Sequence, residues 1–180
     1  MTTTTAAARP RSYFLAGLMQ GARGGADLAD QGYRDVLRRA ILAHRPDAVV
    51  HDPGLLMREW IGEHETAILT GHAALAATPE VRRASLDPAV RLLTETFHRL
   101  TVLAGDSDVC VAWLPGHEPS MGTAAEMLSA HRAGRTVVAV TGMRQNLAVL
   151  SCSDAIVPDL AAFERWLAHE DARVPEPSCP

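Results

Sequence analysis

The residues best placed to do chemistry lie in "PSMGTAAEM", positions 119–127, directly after the apolar run "DVCVAWLP". A turn through Gly122 into a helix start leaves backbone N–H groups without partners. Their partial positive charge favours an anion such as a phosphate, held by the amides around Met121 and Gly122 with the Ser120 hydroxyl as a further donor. Glu126 follows one turn in. A carboxylate beside a bound sugar phosphate can stabilise or attack an electron-poor anomeric carbon, as in glycosyl transfer. The same letters also fit a plain capping box, with Thr123 capping the helix and Glu126 reaching back. Spacing alone leaves both readings open.

Such a loop needs a frame. "SYFLAGL" (12–18) reads as a strand running into the glycine-rich "MQGARGGAD". Tyr33, Val36, Leu37, Ala40, Ile41 and His44 recur at helical spacing over 30–45, which makes Tyr33 a core position of that helix. "DAVVHDPG" reads as a second short strand; Asp52 at its end either touches a ligand or caps a turn. Residues 55–86 show helical fragments without one clean period, and predict short helices and a long loop. Asp87-Pro88 signals a helix start, and Val90, Leu93, Phe97, Leu100 and Ala104 carry the helix over 88–104. The unbroken apolar run 108–115 suits a central parallel strand covered on both faces. A helix over 122–133 stopped by Gly134, a strand at 136–141, a short strand at 154–158 and a helix from 159 complete the pattern.

This alternation predicts an α/β fold, a flavodoxin- or Rossmann-like doubly wound sandwich with a five-stranded, mostly parallel sheet and helices on both faces. One domain over 12–171 is expected, with disordered tails at 1–11 and 172–180. Such sheets bind ligands beyond the carboxyl ends of their strands, where the loops 19–26 and 115–122 both begin.

Composition narrows the partners. The chain has 180 residues, 47% hydrophobic and 21% charged, with a net charge of −4. That balance argues against a nucleic-acid polymer, which is gripped by clustered Lys and Arg. No run reaches the roughly 18 apolar residues of a membrane span. The opening "MTTTTAAARPR" lacks the apolar segment of a signal peptide, so the cytoplasm is the expected location. The three cysteines are odd in number and show no C-x-x-C spacing, which argues against a disulfide framework or zinc ribbon. The eight histidines show neither H-x-x-x-H nor H-x-H spacing, so no metal site is expected.

Two segments, "YFLAGL" with its glycine-rich loop and "DVCVAWLP…PSMGTAAEMLSAHRAGRTVVAV", resemble the nucleoside 2-deoxyribosyltransferase superfamily over roughly a third of the chain. The resemblance implies that Glu126 is the nucleophile that takes up the sugar and that Tyr13, on the first strand, orients it; read from the residues alone, Tyr13 equally suits a core aromatic at a strand start. Relatives acting on free nucleosides usually carry aspartate six residues before the glutamate; here that position is Ser120. Serine there is similar to the branch that hydrolyses nucleoside 5′-monophosphates, because a hydroxyl can donate to a phosphate that an aspartate would repel. "LPG…MGTAAE" is also similar to the PGG-x-GT-x-x-E loop of the cytokinin-activating phosphoribohydrolases, with His117-Glu118-Pro119-Ser120 intervening.

The implied activity is an N-glycosidase acting on a nucleoside 5′-monophosphate, with 2-deoxyribosyl transfer or nucleotide binding without catalysis as alternatives. No cofactor is implied. The usual leaving-group acid of the family has no direct counterpart: counting back eight residues from Asp108 reaches Leu100. With Gly105-Asp106 taken as an insertion the count reaches His98, and Glu95 is the other candidate. The phosphate-side arginine of the hydrolases falls at Met19 or Gln20, with Arg23 slightly later; Gly17, which closes the strand, Gln20 and Arg23 are therefore the expected substrate- and phosphate-binding residues on this side. The superfamily often completes its pocket across a homodimer with a residue from the region of Asn146. A small-molecule nucleotide substrate, no membrane and a homodimer are therefore expected.

Overall fold

The computed structural model describes residues 9–19 and 30–170. Five strands, β1 (Ser12–Gly17), β2 (Val49–His51), β3 (Val109–Leu114), β4 (Thr136–Thr141) and β5 (Ala155–Val157), form one sheet in the order β2-β1-β3-β4-β5. All four pairings are parallel. This is the flavodoxin-like, Rossmann-like order expected from the alternation of strands and helices.

The strands sort their side chains by parity, as a period of two requires. Phe14, Ala16, Cys110, Ala112, Val137 and Ala139 face a core built with α4 (Pro88–Asp106), α5 (Met121–Arg132) and α6 (Leu147–Cys152). Leu56, Met57 and Trp60 of α2 (Pro53–Ile61) pack onto that core as well. Tyr13, Leu15, Val109, Val111, Val138 and Val140 face the other side, against α1 (Tyr33–His44) and α7 (Leu160–Glu170). Each strand residue of β1 is buried, so the continuous apolar runs reflect a sheet covered on both faces.

Helix ends follow their caps. Asp87 accepts the N–H of Ala89 at 2.8 Å, with Pro88 as the first residue of α4. Asp52 accepts from Gly54 and Leu55, with Pro53 opening α2. Gly134, at φ 69°, ends α5 in the left-handed region where a side chain is strained. Between α2 and α4 lies α3 (Glu65–Ala74), with short 3-10 turns at Gly62–His64, Leu75–Ala77 and Arg83–Ser85. Thus 55–86 is mostly short helix rather than long loop. Only Ile68 of α3 is buried, which is why no apolar period marks it.

The chain before β1 is tied down as far back as Arg9, unlike the tail expected over 1–11. Arg9 pairs with Asp108, whose Oδ2 also accepts the N–H and hydroxyl of Ser12, both at 2.8 Å. Arg11 pairs with Glu170 at 2.6 Å, and its carbonyl accepts the N–H of Val49 at 3.0 Å. The remaining tail positions, 1–8 and 172–180, lie outside the described residues. Among the described residues no helix is long and apolar enough to cross a membrane.

Candidate active site

In this strand order the chain leaves β1 towards one edge of the sheet and β3 towards the other. The crevice between their carboxyl ends is the topological switch point, where open α/β sheets bind ligands. Three segments meet there: the start of α1, the turn from β2 into α2, and the start of α5.

Ser120, not Thr123, caps α5. Its Oγ accepts the backbone N–H of Thr123 at 3.2 Å and the Thr123 hydroxyl at 2.9 Å. Both lone pairs of Ser120 are thereby used, and its own O–H proton is what remains to offer a ligand. Met121 and Gly122 are the first two helical residues, so their N–H groups are among those a helix leaves unpaired. The Met121 side chain is 89% exposed and takes no part in the core.

This cap corrects the capping-box reading. With Ser120 at the cap, Glu126 is the sixth residue of the helix, too deep to return to its N-terminus. Its side chain is turned into the protein instead and is 6% exposed. Burial pushes its carboxyl up to about 8, and the Arg34 guanidinium partly offsets this. Glu126 in turn adds to the upward push that burial gives the Cys110 thiol on β3.

Arg34, the second residue of α1, is 3% exposed. Its Nη1 donates to Gln31 Oε1, its Nε lies 3.6 Å from Asp52 Oδ1, and its guanidinium sits 4.8 Å from the centre of the Tyr33 ring. Arg34 and Gln31 were not anticipated from the sequence. The signal was available: Arg34 falls on the helical stripe of Leu37 and Ile41, and an arginine on a buried stripe needs a partner. Gln31, Arg34, Asp35, Asp52, Leu55 and Arg58 line a cleft of about 240 Å3 beside these groups.

Tyr33 packs against the core beside Arg34. Its ring stacks on Trp113 at 5.9 Å and 6°, and its hydroxyl is 3.5 Å from the Leu18 carbonyl. Burial raises the Tyr33 hydroxyl; Arg34 lowers it, while Glu126 and Asp52 raise it further. One phenol therefore senses all three charged groups. Gly17 makes room for it: a Cβ there would lie 2.7 Å from Tyr33 Cζ. Gly17 is thus a packing position beneath the crevice. Asp52 caps α2, one of the two roles anticipated for it, and also stands 3.6 Å from Arg34 Nε.

Other expected residues sit elsewhere. Tyr13 does not orient Glu126. It lies near the amino end of β1 on the α1/α7 face, and its hydroxyl donates to Glu170 Oε2 at 3.4 Å. Strand parity separates it from Glu126, whose helix covers the opposite face. His98 is exposed on α4 and lines an open groove with Trp60, Arg99, Val102, Leu103 and Asp106. The buried stripe of α4 runs through Thr96, Leu100 and Ala104, which turns His98 and Glu95 outward. Asn146 is exposed and caps α6, accepting from Ala148 and Val149. Gln20 and Arg23 lie outside the described residues.

No protein-family model matches the sequence, and no curated protein does. Solved structures with the same fold include a 2-deoxyribosyltransferase from the psychrotolerant bacterium Bacillus psychrosaccharolyticus. It is 16% identical, with a TM-score of 0.50 over 85% of this chain and 90% of that one. A conserved protein from Enterococcus faecalis V583 is 15% identical, with a TM-score of 0.52 over 89% of this chain and 99% of that one. At these identities the likeness is one of fold alone.

Proposed function

We propose that the chain is an N-glycosidase that hydrolyses a nucleoside 5′-monophosphate to free base and a pentose 5-phosphate. The observation that carries this reading is the buried Glu126 carboxylate, one and a half turns behind a serine-capped helix start. Ionised Glu126 attacks C1′ of the sugar. The glycosidic electron pair leaves with the base, and a glycosyl ester forms on the carboxylate. Water then cleaves that ester and regenerates Glu126. The Ser120 hydroxyl and the amides of Met121 and Gly122 hold the phosphate, which keeps C1′ near the carboxylate. The resemblance of "PSMGTAAE" to the nucleotide-hydrolysing branch supports the same assignment.

Chromatography of ribo- and deoxyribonucleoside monophosphates, and of the matching nucleosides, tests it. Wild type should release base from monophosphates and Glu126→Gln should not. No base from any of them ends the hydrolase reading. A transferase reading has one observation in its favour: burial of Glu126 shields a glycosyl ester from water. Adding a second base would then yield a new nucleoside.

A homodimer fits this site. Met121 and Leu147, 89% and 78% exposed, open helices that leave the neighbouring strands β3 and β4 at the crevice edge. A second copy covering them would also bring its own Asn146 region close. Sedimentation of wild type against Leu147→Glu reads this directly, with the variant expected as monomer.

A further inference from the structure

We infer that Arg34 and Arg58 form an oxyanion site over Gly54 at the start of α2, which takes a carboxylate or phosphate group of a ligand. The site is separate from the phosphate assigned to the Ser120 loop and does not rest on that assignment. Gly54 sets its geometry. Arg58 follows Gly54 by four residues, so both lie on one face of α2, and the Arg58 side chain leans back over the turn that holds the glycine. A methyl group at Gly54 would lie 3.5 Å from Arg34 Nη1 and 3.9 Å from Arg58 Nη1. Two guanidinium groups from different helices thus converge on one methyl-sized gap, beside a cleft of about 240 Å3 that both residues line. The missing side chain of Gly54 keeps that gap open.

The protein does not match the charges gathered there. Arg34 is 3% exposed, and a guanidinium stays ionised even when buried. Its one hydrogen bond among the described residues runs from Nη1 to Gln31 Oε1, and its Nε has no partner. Asp52 Oδ1, 3.6 Å from that Nε, already accepts the N–H groups of Gly54 and Leu55 at 2.7 and 3.2 Å. The helix cap takes both lone pairs of that oxygen, so Asp52 balances Arg34 through space and forms no ion pair with Arg58. The Arg58 side chain is exposed and has no hydrogen bond or ion pair among the described residues. Asp35, the other carboxylate on the cleft wall, is exposed at the rim, where water and salt screen it. Two cations held this close repel each other, and an oxyanion between them removes the repulsion. Arginine suits the task, because its planar fork matches carboxylate and phosphate oxygens alike.

The Arg34 Nε–H signal in nitrogen-15 NMR reads the site directly, and its loss in Arg34→Lys assigns it. The probes are inorganic phosphate and acetate, titrated at constant ionic strength. Ser120→Asp serves as the background, because its charge keeps phosphate from the other loop. At least one probe should shift the signal to saturation. Tighter phosphate would mark the ligand group as a phosphoryl, tighter acetate as a carboxylate. Arg58→Gln should weaken the binding at least about tenfold, as expected for a lost charged hydrogen bond. Gly54→Ala keeps every charge but fills the gap, and should weaken it by a similar factor. No saturable shift with either probe overturns the inference. So does unchanged affinity in Arg58→Gln, or in Gly54→Ala, where it would mean a diffuse field rather than a built site. Should Gly54→Ala fail to fold, the exposed Arg58→Gln decides. Base release plays no part in this readout, so failure of the hydrolase reading and failure of the oxyanion site are separate results.

Discussion

Ser120 accepts both the backbone N–H and the hydroxyl of Thr123, at 3.2 and 2.9 Å, and so closes the start of α5 while keeping its own proton free. Cap and phosphate donor are separable by substitution. Ser120→Ala should lose about 1 kcal/mol of stability with the cap. Ser120→Asp should keep the cap and the melting temperature. Its charge should nevertheless raise KM for a monophosphate at least about tenfold, while sparing the corresponding nucleoside. Equal KM changes for both substrates would remove the phosphate from this loop.

The burial of Glu126 has a thermodynamic signature. Its carboxyl titrates near 4.5 when free and about 8 when folded. Between those values the folded chain keeps a proton that the unfolded chain has released. Stability contributed by this group therefore falls as pH rises across that window and is level outside it, by a total on the order of 5 kcal/mol. Glu126→Gln lacks the penalty. Its melting temperature should exceed that of wild type by a margin that widens from pH 5 to pH 8.5. A constant margin would contradict the buried ionisation. For the same reason kcat/KM of a nucleophilic Glu126 should climb with pH and level off above about 8, whereas an acid role would make it fall.

Gly17 tests the crevice floor. A methyl group there meets the Tyr33 ring, 2.7 Å from Cζ, and Tyr33 is stacked on Trp113. Gly17→Ala should cost roughly 1–3 kcal/mol by overpacking, and should disturb the near-ultraviolet circular dichroism of the stacked pair. Unchanged stability would mean that the ring can move aside freely.

Tyr13 separates the two possible roles of the first-strand tyrosine. Its hydroxyl serves Glu170, which also pairs with Arg11 and Arg45. Tyr13→Phe should cost about 1 kcal/mol in urea unfolding and leave kcat within about twofold. A tenfold fall in kcat would restore the orienting role.

Much of the frame was legible from residue pattern. β3 and β4 announce themselves because a two-face-buried strand is apolar throughout, and Asp87-Pro88 places the start of α4 by cap chemistry. The site was legible only in part. Glu126, Ser120 and Gly122 stand together in sequence, so local reasoning found them. Arg34 meets Asp52 only because β2 pairs beside β1, a relation that no local spacing encodes. Tyr13 and His98 were misplaced for a simpler reason. The first lies on the wrong parity of its strand and the second on the outer side of its helix, and face assignment needs the neighbours as well as the period.

The ionic tie between Arg11 and Glu170 bears on how the protein can be handled. It brings the chain just before β1 and the end of α7 together at the amino edge of the sheet, the edge opposite the crevice. An affinity handle or solid support attached near either of these points would leave the crevice facing free solution. A short linker between them should allow the chain to be opened instead in the exposed turn between Thr78 and Arg82, giving a circular permutant that keeps both walls of the crevice intact.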